Sequence, residues 1–246
     1  MNAVYLALLC YNTDSKCKMT KLGVVMANCK YCGKKGFFLS VDENGLCRVC
    51  SQRVFHDAEP RVRILTESIK LAEEGKTLKT RLSRCDLVLE HAEHLLVYEN
   101  KGIGTISPSP SELLSEYTQY RNQILLEEAK KAAEKAMSKS EAAATLKTKV
   151  FAISQGIIKA TEILDESHNS NIGSEIVGDL KARLIKVKLD GFTEAARKAK
   201  FKGNNKKAID QYQETLFLIQ EEGLTTEMSS IVNEINNNIS ELEAST

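Results

Sequence analysis

Cys29-Lys30-Tyr31-Cys32-Gly33 and Cys47-Arg48-Val49-Cys50 decide how the N-terminal part of the chain folds. Fourteen residues separate the two Cys-x-x-Cys pairs, so four thiolates can converge on one tetrahedral ion, as a closed structural site requires. Each pair can form a tight knuckle, and Gly33 lets the backbone turn around the ion. Between the pairs, Gly36-Phe37-Phe38-Leu39-Ser40-Val41 has strand composition, Asp42-Glu43-Asn44-Gly45 is a turn signal, and Leu46 leads into the second pair. That order predicts a hairpin. A module of about thirty residues is too small to fold on an apolar core alone, so the metal's role is structural and its binding supplies the missing free energy.

The stretch resembles the zinc-ribbon and treble-clef class of small zinc modules, over residues 28 to 56. The Cys-x-x-Cys-Gly knuckle, the Asn44-Gly45 turn and the second pair stand as such modules have them. The resemblance implies Cys29, Cys32, Cys47 and Cys50 as ligands of a structural Zn2+. In a treble clef the second pair sits on the first turn of a helix, which Ser51-Gln52-Arg53-Val54-Phe55 permits. A rubredoxin-like iron site uses the same four sulfurs, but rubredoxins resemble this stretch only at the first knuckle and carry a longer insert. Zinc is the expected ion.

At 246 residues, with 42% hydrophobic and 27% charged side chains, the chain has the composition of a globular protein of one large domain or two modest ones. Trp is absent and aromatics make up only 6%, so the core must be Leu, Ile, Val and Ala, which suits helices packed on helices. A net charge of +1 gives no global pull toward nucleic acid or acidic membranes. Seven cysteines, with four assigned to a metal, point to a reducing, cytoplasmic setting. Of the others, Cys85 lies on an apolar helical stripe and Cys10 and Cys17 in an unassigned segment. The apolar run Ala3 to Cys10 is too short to cross a bilayer, lacks a basic n-region, and has Leu9 where a lipoprotein anchor wants a small residue. No membrane attachment is expected. Met26-Ala27-Asn28-Cys29 reads like a protein start, which makes residues 1 to 25 an extension of uncertain status.

The remainder is helical. Pro60 suits the first turn of a helix carrying Val62, Leu65, Ile69 and Ala72, ended by Gly75. Thr77 can cap the next, where Leu78, Leu82, Cys85, Leu89, Ala92 and Leu96 form a coiled-coil-like seam. Its partner is the preceding helix or the same helix in a second chain, a route to a homo-oligomer. This helical hairpin over 57–100 is followed by the linker 101–110, which holds two of the three prolines, and by a helical domain over 111–246. Ser109, Pro110 and Glu112 form a capping box that opens a helix running through Leu114, Tyr117 and Ile124 toward Met137. Ser138 and Glu141 either cap a new helix or lie inside one long one. Ala143, Leu146, Val150, Ile153, Ile157, Ala160 and Leu164 repeat at helical spacing, Asp165 to Ser174 is a polar loop, and Val177, Leu180, Leu184 and Val187 open another helix. Phe192 to Tyr212 resembles one tetratricopeptide unit within a hairpin near residues 189–222: an aromatic near the start, Gly203 at the turn, Ala208 opening the second helix, and Tyr212 four later. It departs from that pattern at Thr215, where a small Ala is usual, and in lacking a closing proline. A last helix from Thr226 uses Met228, Ile231, Ile235, Ile239 and Leu242. The fold class is thus mainly α: a small zinc-stabilised β-hairpin module followed by helical hairpins in a helical-repeat-like bundle.

From Lys181 to Lys207 basic side chains outnumber acidic ones, among them Arg197, Lys198, Lys200, Lys202, Lys206 and Lys207. With Lys34, Lys35, Arg48 and Arg53 of the zinc module they are candidate nucleic-acid contacts. The competing reading is a solvated helical face balanced by the C-terminal acids, which include Glu234 and Glu241, and it is the preferred one. His91 and His94 share a helix face without a His-Glu-x-x-His order, and His56 is a surface histidine. Gly102-Ile103-Gly104 lacks the Gly-Lys-Ser/Thr of a phosphate loop, and no catalytic motif occurs. The chain therefore reads as a non-enzymatic zinc-binding adaptor whose helical region docks a protein partner, with the zinc module as a second contact surface. The alternative is a nucleic-acid-binding regulator using the zinc module and residues 181–207.

Overall fold

A computed structural model of the chain describes residues 27–167 and 171–245. The readings of residues 1–25, of Cys10 and Cys17, and of part of the loop before Ser174 fall outside the described residues. The chain is mainly helical, with a two-stranded antiparallel hairpin that carries the cysteines. Its order is β1 (Ala27–Asn28), β2 (Lys35–Gly36), α1 (Arg48–Glu74), α2 (Leu78–Glu99), α3 (Pro110–Ala142), α4 (Leu146–Leu164), α5 (Ser174–Phe201), α6 (Asn205–Glu221) and α7 (Ser229–Ala244). Two compact units divide it, one ending at Ile124 and the other beginning at Leu125.

In the first unit, α1 runs unbroken from the second cysteine pair to Glu74, with Pro60 inside it rather than at a helix start. Proline at this place loses only the bond to the carbonyl of His56, and both residues are exposed, so water can replace it. The helix is already nucleated upstream, at Cys47, where Ser51 N donates to Cys47 O. After Gly75, Thr77 caps α2 by accepting from Thr80 N at 3.2 Å. The buried face of α2 is Leu82, Cys85, Val88, Ala92, Leu95 and Tyr98, and α1 packs against α2. This face is turned slightly from the expected stripe: Val88 and Leu95 replace Leu89 and Leu96 at its centre. The helix closes in a Schellman pattern, with Ile103 N donating to Tyr98 O and Gly102 N to Glu99 O, Gly102 taking the left-handed conformation.

The loop Lys101–Pro110 lies within the first unit. The Ser109/Glu112 capping box forms: Ser109 N donates to the Glu112 carboxylate at 2.8 Å and Glu112 N to Ser109 Oγ at 3.4 Å. Glu99 reinforces this start by accepting from Ser111 N, and these serine hydrogen bonds hold its carboxyl below the usual range. The early part of α3 buries Leu113, Tyr117 and Ile124, and its Arg121 reaches Asp86 of α2 at 2.8 Å.

In the second unit, α3 continues through Ser138 to Ala142, so Ser138 starts no new helix. The break comes at Thr145, whose side chain and that of Thr148 cap α4 reciprocally. Gly156 sits so close to α3 that a Cβ there would stand 2.3 Å from Ala136 Cβ. Helices α5 and α6 form a hairpin turning at Gly203, with Ala196, Ala199, Ala208, Tyr212 and Thr215 buried. Thr215 is tolerated there because its hydroxyl donates to Gln211 O at 2.9 Å. The final helix begins at Ser229, three residues beyond the expected Thr226, and inserts Ile235 and Leu242 into the core shared with Leu189, Leu218 and Ile219.

Candidate metal centre

The first knuckle is built by backbone bonds around Cys29. Its strand residues pair as Ala27 with Gly36 and Asn28 with Lys35, then Cys29 N donates to Lys34 O and Gly33 N returns to Cys29 O at 2.8 Å. Gly33 takes a φ of 71°, a conformation that strains any residue with a Cβ. The second knuckle follows a turn organised by Asp42, whose Oδ1 accepts from Asn44 N and Leu46 N. A bridge between Val41 and Cys47 closes that turn, and Lys30 N donates to Gly45 O across the module. Cys47 then occupies the N-cap of α1 and Cys50 its first turn, where the helix dipole favours negative sulfur.

One sequence expectation fails here. Among the described residues, 37 and 38 form a turn and 39 and 40 take no regular structure, so the expected strand is reduced to Gly36 in β2 and Val41 in its bridge to Cys47. Phe37 and Phe38 are consequently 72% and 103% exposed.

All four Sγ atoms lie within 4.8 Å of one another, with Cys32 Sγ and Cys47 Sγ at 4.0 Å. A tetrahedron of sulfurs about 2.3 Å from zinc has edges of about 3.8 Å, so small shifts would close the site. Cys29, Cys47 and Cys50 are buried and Cys32 is exposed. Cys47 N points at Cys29 Sγ from 3.3 Å. Burial opposes the Cys29 thiolate, but amide groups of Cys32, Cys47 and Tyr31 outweigh it and bring the thiol down to about 6. Cys50 is pushed the other way, to about 12, by burial and by the sulfurs of Cys47, Cys32 and Cys29. A cluster that stabilises one thiolate and repels the next is what a divalent cation resolves, since it pairs with all four charges at once. The donor set thus fits a structural metal ion. Among the described residues, these cysteines are the one group of His, Cys, Asp and Glu side chains gathered closely enough to hold a metal. His91 and His94 have no such company.

The module is fastened to the helical hairpin by contacts that no local sequence signal marks, and Arg53, a candidate nucleic-acid contact, is among those that make them. Lys30 Nζ donates to Gly102 O at 2.7 Å, and Lys101 Nζ stands 4.3 Å from the centre of the Tyr31 ring. Arg53 lies over the same ring at 5.9 Å, and Tyr98 neighbours it at 6.1 Å. Tyr98 in turn donates to Asp57 Oδ2 at 2.7 Å, and burial with that bond pushes its phenol up to about 12. Only the aromatic character of Tyr31, next to a ligand, could have hinted at this hub.

Beside it, a groove of about 1000 Å³ runs along α1, with Leu46, Val54, Phe55, Ala58, Val62 and Ile103 among its lining residues. Part of the basic stretch of the second unit is paired with acids in place. Arg197 pairs with Glu234, Lys198 with Glu194, and Lys200 with Glu241 and Asn238. Lys202, Lys206 and Lys207 are exposed, as are Lys34, Lys35 and Arg48. No helix among the described residues is long and apolar enough to cross a membrane. Compared with known proteins, the chain matches no family model, no curated protein and no solved structure.

Proposed function

We propose that the chain is a non-enzymatic, cytoplasmic zinc-binding interaction protein, in which a structural Zn2+ orders the N-terminal module and the helical region docks a protein partner. The observation that carries this reading is the groove along α1. Its walls come from the module's Asn44 and Leu46, from α1, and from Ile103 to Thr105 of the loop after α2. Lys30 and Tyr31, between the ligand positions Cys29 and Cys32, hold that loop, so the metal-ordered segment shapes the groove. An apolar trough of this size with charged rims formed by Glu59, Arg63, Glu67 and Lys70 suits a protein segment with a few apolar anchors.

Two measurements test the reading. Purified chain should contain one zinc per molecule by elemental analysis, and extract proteins captured by the wild-type chain should be lost with Val62→Glu, which puts a charge on the groove. Identical capture by both proteins, or none by either, refutes the docking role. The alternative nucleic-acid reading loses part of its footing, because Arg197, Lys198 and Lys200 already have anionic partners within the fold.

A further inference from the structure

Phe37 and Phe38 are consecutive aromatic residues, both largely exposed and Phe38 wholly so. They sit in an ordered turn next to the β-ladder. Gly36 is in the β-ladder, Leu39 N donates back to Gly36 O at 3.4 Å, and Cys32 lies just upstream. Exposed apolar side chains scattered singly need no explanation, but two neighbouring rings held out by an ordered turn form a presented surface.

The charges around them narrow the ligand. Lys34, Lys35 and Arg48 are exposed and have no ion-pair partner among the described residues. Lys30, Arg53 and Lys101, by contrast, are engaged on Gly102 O and the Tyr31 ring. Of the two acids in residues 27–47, Asp42 uses its carboxylate inside the turn, which leaves Glu43. Lys34 is four residues from Phe38, at most about 14 Å along an extended chain, so cations and rings fall within the reach of a few nucleotides. A pocket that took two phenyl rings alone would gain nothing from unpaired lysines beside them. A single strand uses both, because its bases stack on aromatic faces and its phosphates meet the cations.

We infer that Phe37 and Phe38, flanked by Lys34 and Lys35, form a stacking site for single-stranded nucleic acid with little sequence preference. This gives a ligand class to the zinc module, the second contact surface that the sequence suggests, and rests on the proposed ordering of that module by metal. Duplex is disfavoured, since its bases are already stacked on one another.

The test uses the full chain, with zinc content measured on every preparation, and fluorescently labelled single strands of about twelve nucleotides. Binding is expected to be saturable at low salt and to outcompete a duplex of the same sequence. Phe38→Ala should weaken it about tenfold or more, as loss of one stacked base does. Lys34→Gln with Lys35→Gln should reduce the slope of log affinity against log salt by about 1.4. Phe217→Ala, an exposed ring of α6, should change nothing. These substitutions are on exposed side chains, so unchanged melting confirms that folding is intact. Absence of binding by zinc-loaded protein, or wild-type binding by Phe37→Ala/Phe38→Ala, overturns the inference and assigns the rings to a protein contact. A preparation without stoichiometric zinc that still binds strands through Phe38 would instead overturn the metal reading alone.

Discussion

Removing the metal should disorder the module and spare the helices. Between Ala27 and Cys47 only Cys29, Leu46 and Cys47 are buried, so beyond Leu46 and the Tyr31 ring contact little apolar packing holds this segment once the ion is gone. Structural zinc contributes about 10–16 kcal/mol to small modules at neutral pH, a figure that here is capped by the stability of the unit to which the module is tied. Even about 5 kcal/mol of local stabilisation slows amide exchange by three to four powers of ten. Chelation should therefore release the amides of Cys29, Lys30, Gly33 and Cys47, which all donate within the module. Loss of helix should stop near the first two turns of α1, about seven residues at 3.6 per turn. Beyond them Leu65 and Ala72 are buried and α2 keeps packing on α1. Hydrogen exchange read by mass spectrometry, with far-ultraviolet dichroism alongside, makes the comparison. Cys29→Ser should resemble chelation, and the exposed Cys32→Ser should be milder. Unchanged protection across residues 29–47 after verified metal removal would falsify the argument that the sulfurs organise this segment.

Metal affinity should rise with pH, because the sulfurs bind as thiolates and loading drives off their protons. Calorimetry in buffers of different ionisation enthalpy will count the protons released, and zero release contradicts the assignment. Tyr98 is raised to about 12 by burial and by Asp57, so its neutral form stabilises the fold in full below its ordinary value near 10. That contribution should fade as pH climbs from 10 to 12; Tyr98→Phe should cost about 1 kcal/mol near neutrality and flatten the alkaline loss in denaturant melts. Gly156→Ala should destabilise the second unit by about 1–3 kcal/mol, since its new methyl meets Ala136 Cβ at 2.3 Å. Adding Ala136→Gly should recover most of that loss, and failure to do so in a double-mutant cycle removes the steric explanation.

Local chemistry made much of this architecture legible. Thr77, Ser109 and Gly203 mark helix ends whose hydrogen bonds involve only a few neighbouring residues, so sequence spacing suffices to read them. The four sulfurs were legible for the same reason, since each knuckle is a short loop. Contacts made across the chain were not. Pro60 looked like a helix start because proline favours first turns, yet the helix had already been nucleated ten residues earlier at the second cysteine pair. Residues 36–41 have strand composition, but a strand forms only where another edge pairs with it, and among the described residues that pairing reaches only Gly36 and Val41. Lys30 and Gly102 lie 72 positions apart, and nothing local in either residue announces the bond between them.

That bond bears on how the two parts of the first unit work together. Lys30 and Tyr31 are consecutive residues inside the first knuckle, and they hold consecutive residues, Gly102 and Lys101, at the end of α2. The same Schellman turn buries Ile103, which lines the groove along α1. A side chain exposed in the knuckle and one buried beside the groove are therefore linked through two contacts and one turn of backbone. Contacts of this kind are individually modest, a charged hydrogen bond and a cation over a ring. Their effect depends on the knuckle being rigid, because a lysine on a disordered segment pays the full entropy of ordering before it can hold a carbonyl. On the proposed reading, metal occupancy sets whether these weak contacts form, and the groove's outer wall takes its order from sulfurs that do not touch it.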